Sequence, residues 1–334
     1  MSLPSVMRAA VITAPGAPDV FAIEARPLPV PGPDEILVRV RSSAINRADV
    51  LQRQGRYPAP PGVAADIPGL EFAGEVAAVG AGVTLWSVGA RVSGLVGGAA
   101  HAEYLVTHQR AVAAVPDAVS WALAGAAPEA CITALDALDQ AGATAGESVL
   151  VHAVGSGVGL ATVQIAKQLG CRVYGTARGV AKLDAARDVG MDDGASPADG
   201  DWIVDAVRRW TNKRGVDVVV DLVGGDYVRH TLPAMALKGR LIVVGTLAGQ
   251  ETQLDLRYLL GRRLTLRGTV LRSRPLDERI AVTDRYAAVV LPWLASGAVT
   301  VRIDATFPLE RIAEAHALME SNTTIGKIAL DIAS

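Results

Sequence analysis

In the stretch SSAINRADVLQRQGRYPAPPG, residues 42 to 62, Asn46, Asp49 and Tyr57 follow directly on an alternating, strand-like run, EILVRVRSSAI. Loops at strand ends are where sites are usually built, so an amide, a carboxylate and a phenol gathered there are candidates for catalysis. Each also has a plainer role. Asn46 is a favoured N-cap for the helix that follows, Asp49 is a first-turn acid, and Tyr57 can be a packed aromatic with its hydroxyl satisfied.

A second stretch, SVLVHAVGSGVGLATVQIAKQLGCRVYGTARGVAKL, reads as strand, glycine-rich turn, helix and strand. Such a turn lets the backbone approach a pyrophosphate while the helix N-terminus meets its charge. Gly155, Gly157 and Gly159 are present together with Ser156 and Val158, although the register of G-x-G-x-x-G falls on Val154, Ser156 and Gly159. The competing role for these glycines is tight packing. NAD-selective sites end the second strand with an acidic residue for the ribose hydroxyls. Here the strand ends YGTARGVAK, so Arg178 and Lys182 offer positive charge to a 2′-phosphate and Thr176 a hydroxyl. NADPH is expected over NADH unless both cations are ordinary solvated charges. The paired aspartates that open DDGASPADG, Asp192 and Asp193, are unhelpful beside a phosphate, so the preference is expected to rest on Arg178 and to be modest.

The elements that would carry these residues come in two textures. From Met7 to about Thr107, short alternating runs (AAVIT, EILVRV, EFAGEVAAVG, HAEYLVT) are separated by Pro and Gly turns, the pattern of a β-rich domain. From about Pro128, helical spacing alternates with apolar runs (SVLVH, VDVVVDLVG, GRLIVVGT, RLTLRGTV), the pattern of a doubly wound parallel sheet. The tail returns to strand, helix and strand. The fold class is therefore α/β, a Rossmann-type sheet domain beside a β-rich one.

Composition excludes several functions. The 334 residues are 50% hydrophobic and 20% charged, and a net charge of −2 gives no bulk reason to expect nucleic acid or an anionic membrane surface as partner. The N-terminus lacks a secretory pattern and no window is apolar for the roughly 20 residues that span a bilayer, so a cytoplasmic location is expected. Cys131 and Cys171 stand in no CxxC and suggest no disulfide framework. The five histidines, His101, His108, His152, His230 and His316, show no mutual spacing for a metal or a proton relay.

Nearly end to end, in NRADVLQRQGRYPAPPG, PGLEFAGEVAAVG, HAVGSGVG, LRSRP and EAHALMESNTTIGKIAL, the chain resembles zinc-independent medium-chain dehydrogenase/reductases of the NADPH:quinone oxidoreductase family, most of all its tumour-suppressor-inducible branch. The resemblance implies a GroES-like domain in two parts, residues 1–128 and 272–334, with a Rossmann NADPH-binding domain at 129–271, and a homodimer. It puts Asn46 beside the nicotinamide and Tyr57 toward the substrate. It lines the cofactor with Thr133, with Val223, Gly224 and Gly225, with Gly245, Thr246 and Leu247, and with Thr269, Val270 and Leu271. In zinc-dependent relatives a cysteine and a His-Glu pair stand where this chain has Asn46 and Leu70-Glu71, so no catalytic metal is expected. Without a Lewis acid to stabilise an alkoxide, an electron-poor acceptor such as a quinone suits the site better than an alcohol. An enoyl-thioester reductase, with Tyr57 as proton donor, and a non-catalytic NADPH-binding protein are the alternatives.

Overall fold

The computed structural model describes residues 3–197 and 202–332. The chain divides into two compact units, Met1–Ile132 with Leu271–Ser334, and Thr133–Val270.

The first unit is built on strands β1 (Val6–Ile12), β2 (Phe21–Pro27), β3 (Glu35–Ile45), β4 (Glu71–Val79), β5 (Arg91–Leu95), β6 (Tyr104–His108), β7 (Val112–Ala114), β14 (Ile303–Pro308) and β15 (Lys327–Asp331). β1 and β2 pair as a hairpin, while the larger sheet runs β14-β15-β3-β4-β5-β7 with β6 also on β3. Apolar residues at alternating positions explain the choice of strand: Ile36, Val38 and Val40 meet Phe72, Val76, Ile328 and Leu330 in one buried core. The late strand β15 joins β3 antiparallel, with Ile328 opposite Ile45 and Ala329 opposite Ala44. That register brings Lys327, the first residue of β15, next to the end of β3, where helix α1 (Arg47–Arg53) begins.

The second unit is a parallel sheet in the order β10-β9-β8-β11-β12-β13, comprising β8 (Ser148–His152), β9 (Arg172–Thr176), β10 (Asp193–Ala195), β11 (Val216–Asp221), β12 (Met235–Val243) and β13 (Thr265–Gly268). Every residue of β8 and β11 is buried, as expected where helices cover both faces of a sheet. Chain order leaves β8 for β9 and β10 on one side, then returns to β11 on the other. This reversal is the switch point at whose C-terminal strand ends doubly wound sheets bind ligands. Helices α2 (Trp121–Ala126) and α3 (Pro128–Ala141) precede β8 in the chain, and α4 (Gly157–Gln168) and α5 (Val180–Asp188) follow β8 and β9. In both units the alternations of the sequence become strands where expected.

Candidate active site

At the junction of β3 and α1, the Asp49 carboxylate closes the helix start. Its Oδ2 accepts from the Asn46 backbone N–H at 2.8 Å and its Oδ1 from Gly69 N–H at 3.0 Å. Asp49 is completely buried and both oxygens are engaged with backbone. With these contacts Asp49 ties the Asn46 backbone to the turn before β4.

The Asn46 side chain is held from three directions. Its Nδ2 donates to Glu71 Oε1 at 2.8 Å and, more weakly, to Ala44 O at 3.3 Å, while its Oδ1 accepts from Lys327 Nζ at 2.5 Å. The Lys327 ammonium also donates to Glu71 Oε1 at 2.6 Å, and Glu71 Oε2 accepts the Glu129 backbone N–H at 2.8 Å. The Lys327 and Glu71 side chains are 4% and 0% exposed. A pair so deeply buried holds only because each charge is met by the other and by further hydrogen bonds.

Lys327 was missed in the sequence, where its one signal is a lysine placed directly before the apolar run IAL of strand KIALD. Arg272 and Glu129 were also missed. Arg272 is buried and held by three acceptors: Gly97 O from Nε at 2.8 Å, Tyr57 O from Nη1 at 3.2 Å and Gln52 Oε1 from Nη2 at 2.5 Å. Its guanidinium carbon lies 4.9 Å from the centre of the Tyr57 ring, within cation–π range. Tyr57 is half-buried; burial raises its phenol, and the positive charge of Arg272 partly offsets the rise. Glu129 lines a recess with Leu70, Leu95, Val96, Leu271, Arg272, Arg279 and Val282. Burial, then the negative charge of Glu71, push its carboxyl up to about 8.

In the second unit, β8 runs into a turn with Ala153 at φ +52°, and Ser156 caps α4, its hydroxyl accepting from Gly159 N–H at 3.1 Å. The opening turn of α4, with Gly157 and Val158, presents backbone N–H groups that have no intrahelical acceptor. Gly159 is dictated by contact: a Cβ there would come within 2.5 Å of Val154 O and 2.6 Å of Ala153 O. A Cβ on Gly155 would strike the Lys182 stem at 2.6 Å, so Lys182 lies across the turn. Arg178 is exposed just beyond β9. Thr133 is buried and its hydroxyl has no hydrogen-bond partner among the described residues. An orphaned hydroxyl, a helix N-terminus and nearby cations fit a phosphate-bearing dinucleotide.

Thr176 does not fit. Its hydroxyl is 2.8 Å from His152 Nδ1, whose Nε2 lies 2.9 Å from Thr231 Oγ1, and Thr176 is 1% exposed. The expected hydroxyl donor to a 2′-phosphate is thus an interior link between strands. The remaining positions sit at strand ends. Val223 and Gly224 follow β11, their N–H groups accepted by Asp221 Oδ1. A Cβ on Gly224, at φ +69°, would lie 2.7 Å from Gly245 O, so this loop packs closely on the one holding Gly245, Thr246 and Leu247. Gly225 follows at φ +55°. The Thr269 hydroxyl joins Asp136 and Gln140. Val270 is exposed, and Leu271 belongs to the first unit, on the recess.

The family models that match are the alcohol dehydrogenase GroES-like domain, over residues 32–133, and zinc-binding dehydrogenase, over residues 157–290. The second description implies a metal, and the residues do not fit one. Asn46 and Glu71 are turned onto the Lys327 ammonium, a cation that zinc would have to displace, and neither is a thiolate or an imidazole. Among the described residues no group of three His, Cys, Asp or Glu side chains could hold a metal ion. Nor, among them, is any helix long and apolar enough to cross a membrane.

The chain is 31% identical over 311 residues to quinone oxidoreductase-like protein 2 of Rattus norvegicus, covering 92% of this chain and 88% of that one. It is 33% identical over 304 residues to a mycocerosic acid synthase-like polyketide synthase of Mycobacterium tuberculosis, covering 90% of this chain and 14% of the synthase. A mycobacterial protein solved in complex with NADPH superposes with a TM-score of 0.86 at 30% identity, covering 98% of this chain and 100% of that one. The two-unit architecture, the glycine turn and these likenesses together make the chain a member of the medium-chain dehydrogenase/reductase family, an oxidoreductase family, alongside proteins named quinone oxidoreductases.

Proposed function

We propose that the protein transfers hydride from NADPH to a quinone or similar soft, conjugated acceptor, without zinc. The observation that carries this function is the buried ammonium of Lys327 fixed between Asn46 and Glu71. It supports chemistry on an acceptor that spreads its own charge, because no Lewis acid is there to stabilise an alkoxide. NADPH, when bound, supplies the hydride from its nicotinamide. Gly155, Ser156, Gly157, Val158 and Gly159 would receive the pyrophosphate, Thr133 and the strand-end loops would line the cofactor, and Arg178 and Lys182 would meet the 2′-phosphate. Asn46, held rigid by Lys327 and Glu71, and Tyr57, under Arg272, would shape the acceptor's seat. Among the described residues no cysteine or serine stands in a nucleophile arrangement, which supports direct transfer with positioning dominating the rate. Two copies would pair as a homodimer through the second unit, whose strand β13 has a sheet partner on one side only among the described residues.

The test is a screen of NADPH oxidation over ortho- and para-quinones, enones and enoyl thioesters. Turnover with quinones through a ternary complex is expected. A ping-pong pattern or a bound flavin would overturn direct transfer. The match to a polyketide synthase favours a second function, enoyl-thioester reduction, which turnover confined to enoyl thioesters would establish. Tight NADPH binding with no turnover on any acceptor would leave a binding protein.

A further inference from the structure

The recess beside Tyr57 has room for about 10 Å³, roughly the space of one water-sized sphere and far too small for a ring. Its walls are apolar, formed by Leu70, Leu95, Val96, Leu271 and Val282, and its polar edges are Glu129, Arg272 and Arg279. The Arg279 Nε is buried without a hydrogen-bond partner among the described residues. A water-sized, mostly apolar slot whose lining residues include Glu129, Arg272 and Arg279 suits a single oxygen atom that gains negative charge. Lys327, held by Asn46 and Glu71, is not among the residues that line the recess.

Resting on the hydride transfer proposed above, we infer that this recess seats the acceptor's carbonyl oxygen and that Glu129, in its acid form, delivers the proton completing the reduction. The acceptor takes a hydride with both electrons from NADPH. The oxygen that gains charge then forms an O–H bond as the O–H bond of Glu129 breaks, and solvent reprotonates the carboxylate. The sum is acceptor plus NADPH plus one proton giving reduced acceptor plus NADP⁺.

The surroundings keep Glu129 an acid at neutral pH. Burial comes first and the carboxylates of Glu71 on β4 and Asp49 on α1 add to it, against Lys327 on β15 and Arg272. Arg279 on the recess wall and the Tyr57 phenol complete the charged and titratable groups that face it. A general acid is most useful when its pKa lies near the working pH.

The experiment compares wild type, Glu129→Gln and Glu129→Asp, using a para-quinone and a cyclic enone as probes. Wild-type turnover is expected to fall as pH rises past about 8. Glu129→Gln should turn over about a hundredfold more slowly, lose that pH limb, and bind NADPH unchanged by fluorescence titration. Glu129→Asp, which keeps the acid but shortens its reach, should retain the limb at reduced rate. Independently of activity, the infrared difference between wild type and Glu129→Gln at pH 7 should contain a protonated-carboxyl band that disappears as pH passes about 8. Full turnover and an unchanged pH profile in Glu129→Gln, or no such band, overturns the inference while leaving hydride transfer standing. A wild type inactive on every acceptor brings down both.

Discussion

The polar cluster of the first unit and the glycine turn of the second solve opposite problems. Around Asn46, charged side chains from far-separated parts of the chain are brought into a dry interior, and order comes from each charge satisfying the next. Around Gly159, order comes from missing atoms: the turn exists because no Cβ pushes Val154 O and Ala153 O away. One region fails when a group is removed, the other when a group is added.

The sharpest way to break this contrast is Lys327→Met, which leaves Glu71 buried without its counter-charge. A loss of about 3–5 kcal/mol in urea unfolding is expected. The double variant with Glu71→Gln should recover part of it, because the two residues are coupled. A neutral single variant would show that the cluster does not depend on its cation.

Arg178→Ala addresses the cofactor side. A charge-assisted contact to the 2′-phosphate is worth about 1.5–3 kcal/mol, so NADPH affinity should fall roughly ten- to hundredfold while NADH affinity holds. Parallel losses for both cofactors would remove Arg178 from phosphate recognition.

Gly159→Ala adds the missing atom. Crowding of this kind typically costs about 1–3 kcal/mol, and both stability and dinucleotide affinity should drop. Unchanged calorimetric binding would mean the turn adjusts more readily than its contacts suggest.

The smallest effect is expected for Tyr57→Phe. The hydroxyl makes no hydrogen bond among the described residues, and the Arg272 contact is to the ring and the backbone carbonyl. Quinone turnover should stay within a few-fold. A near-complete loss would give Tyr57 the proton-donor role and favour the enoyl-thioester function.

Legibility in the sequence follows the same division. The glycine turn and the strand–helix alternation are local, so spacing alone revealed them. Asp49 was legible as a helix-start acid, but its second partner, Gly69, is not adjacent in the chain. Thr176 was misjudged for a related reason: a hydroxyl at a strand end is ambiguous until the neighbouring strand is known, and that neighbour carries His152. Lys327, Glu129 and Arg272 were invisible as a group: the pairing of β15 with β3 brings Lys327 to Glu71, whose carboxylate also holds the Glu129 backbone, while Arg272 finds its acceptors at Gln52, Tyr57 and Gly97, far off in the chain. His101 and His316, unrelated by spacing, meet edge to face with ring centres 6.4 Å apart.

The Asn46–Lys327 hydrogen bond joins residues separated by 281 positions. During synthesis at about 5–20 residues per second, Asn46 and Glu71 therefore emerge roughly 15–60 s before the ammonium that neutralises them. Over that interval the edge of β3 that will receive β15 stays open and the Glu71 carboxylate stays hydrated. The second unit, whose sheet draws only on residues 148–268, can complete its pairing first. The unit that holds Asn46, Glu71 and Lys327 is thus assembled last, and it is the part most exposed to interrupted translation and to chaperones that bind unpaired strand edges.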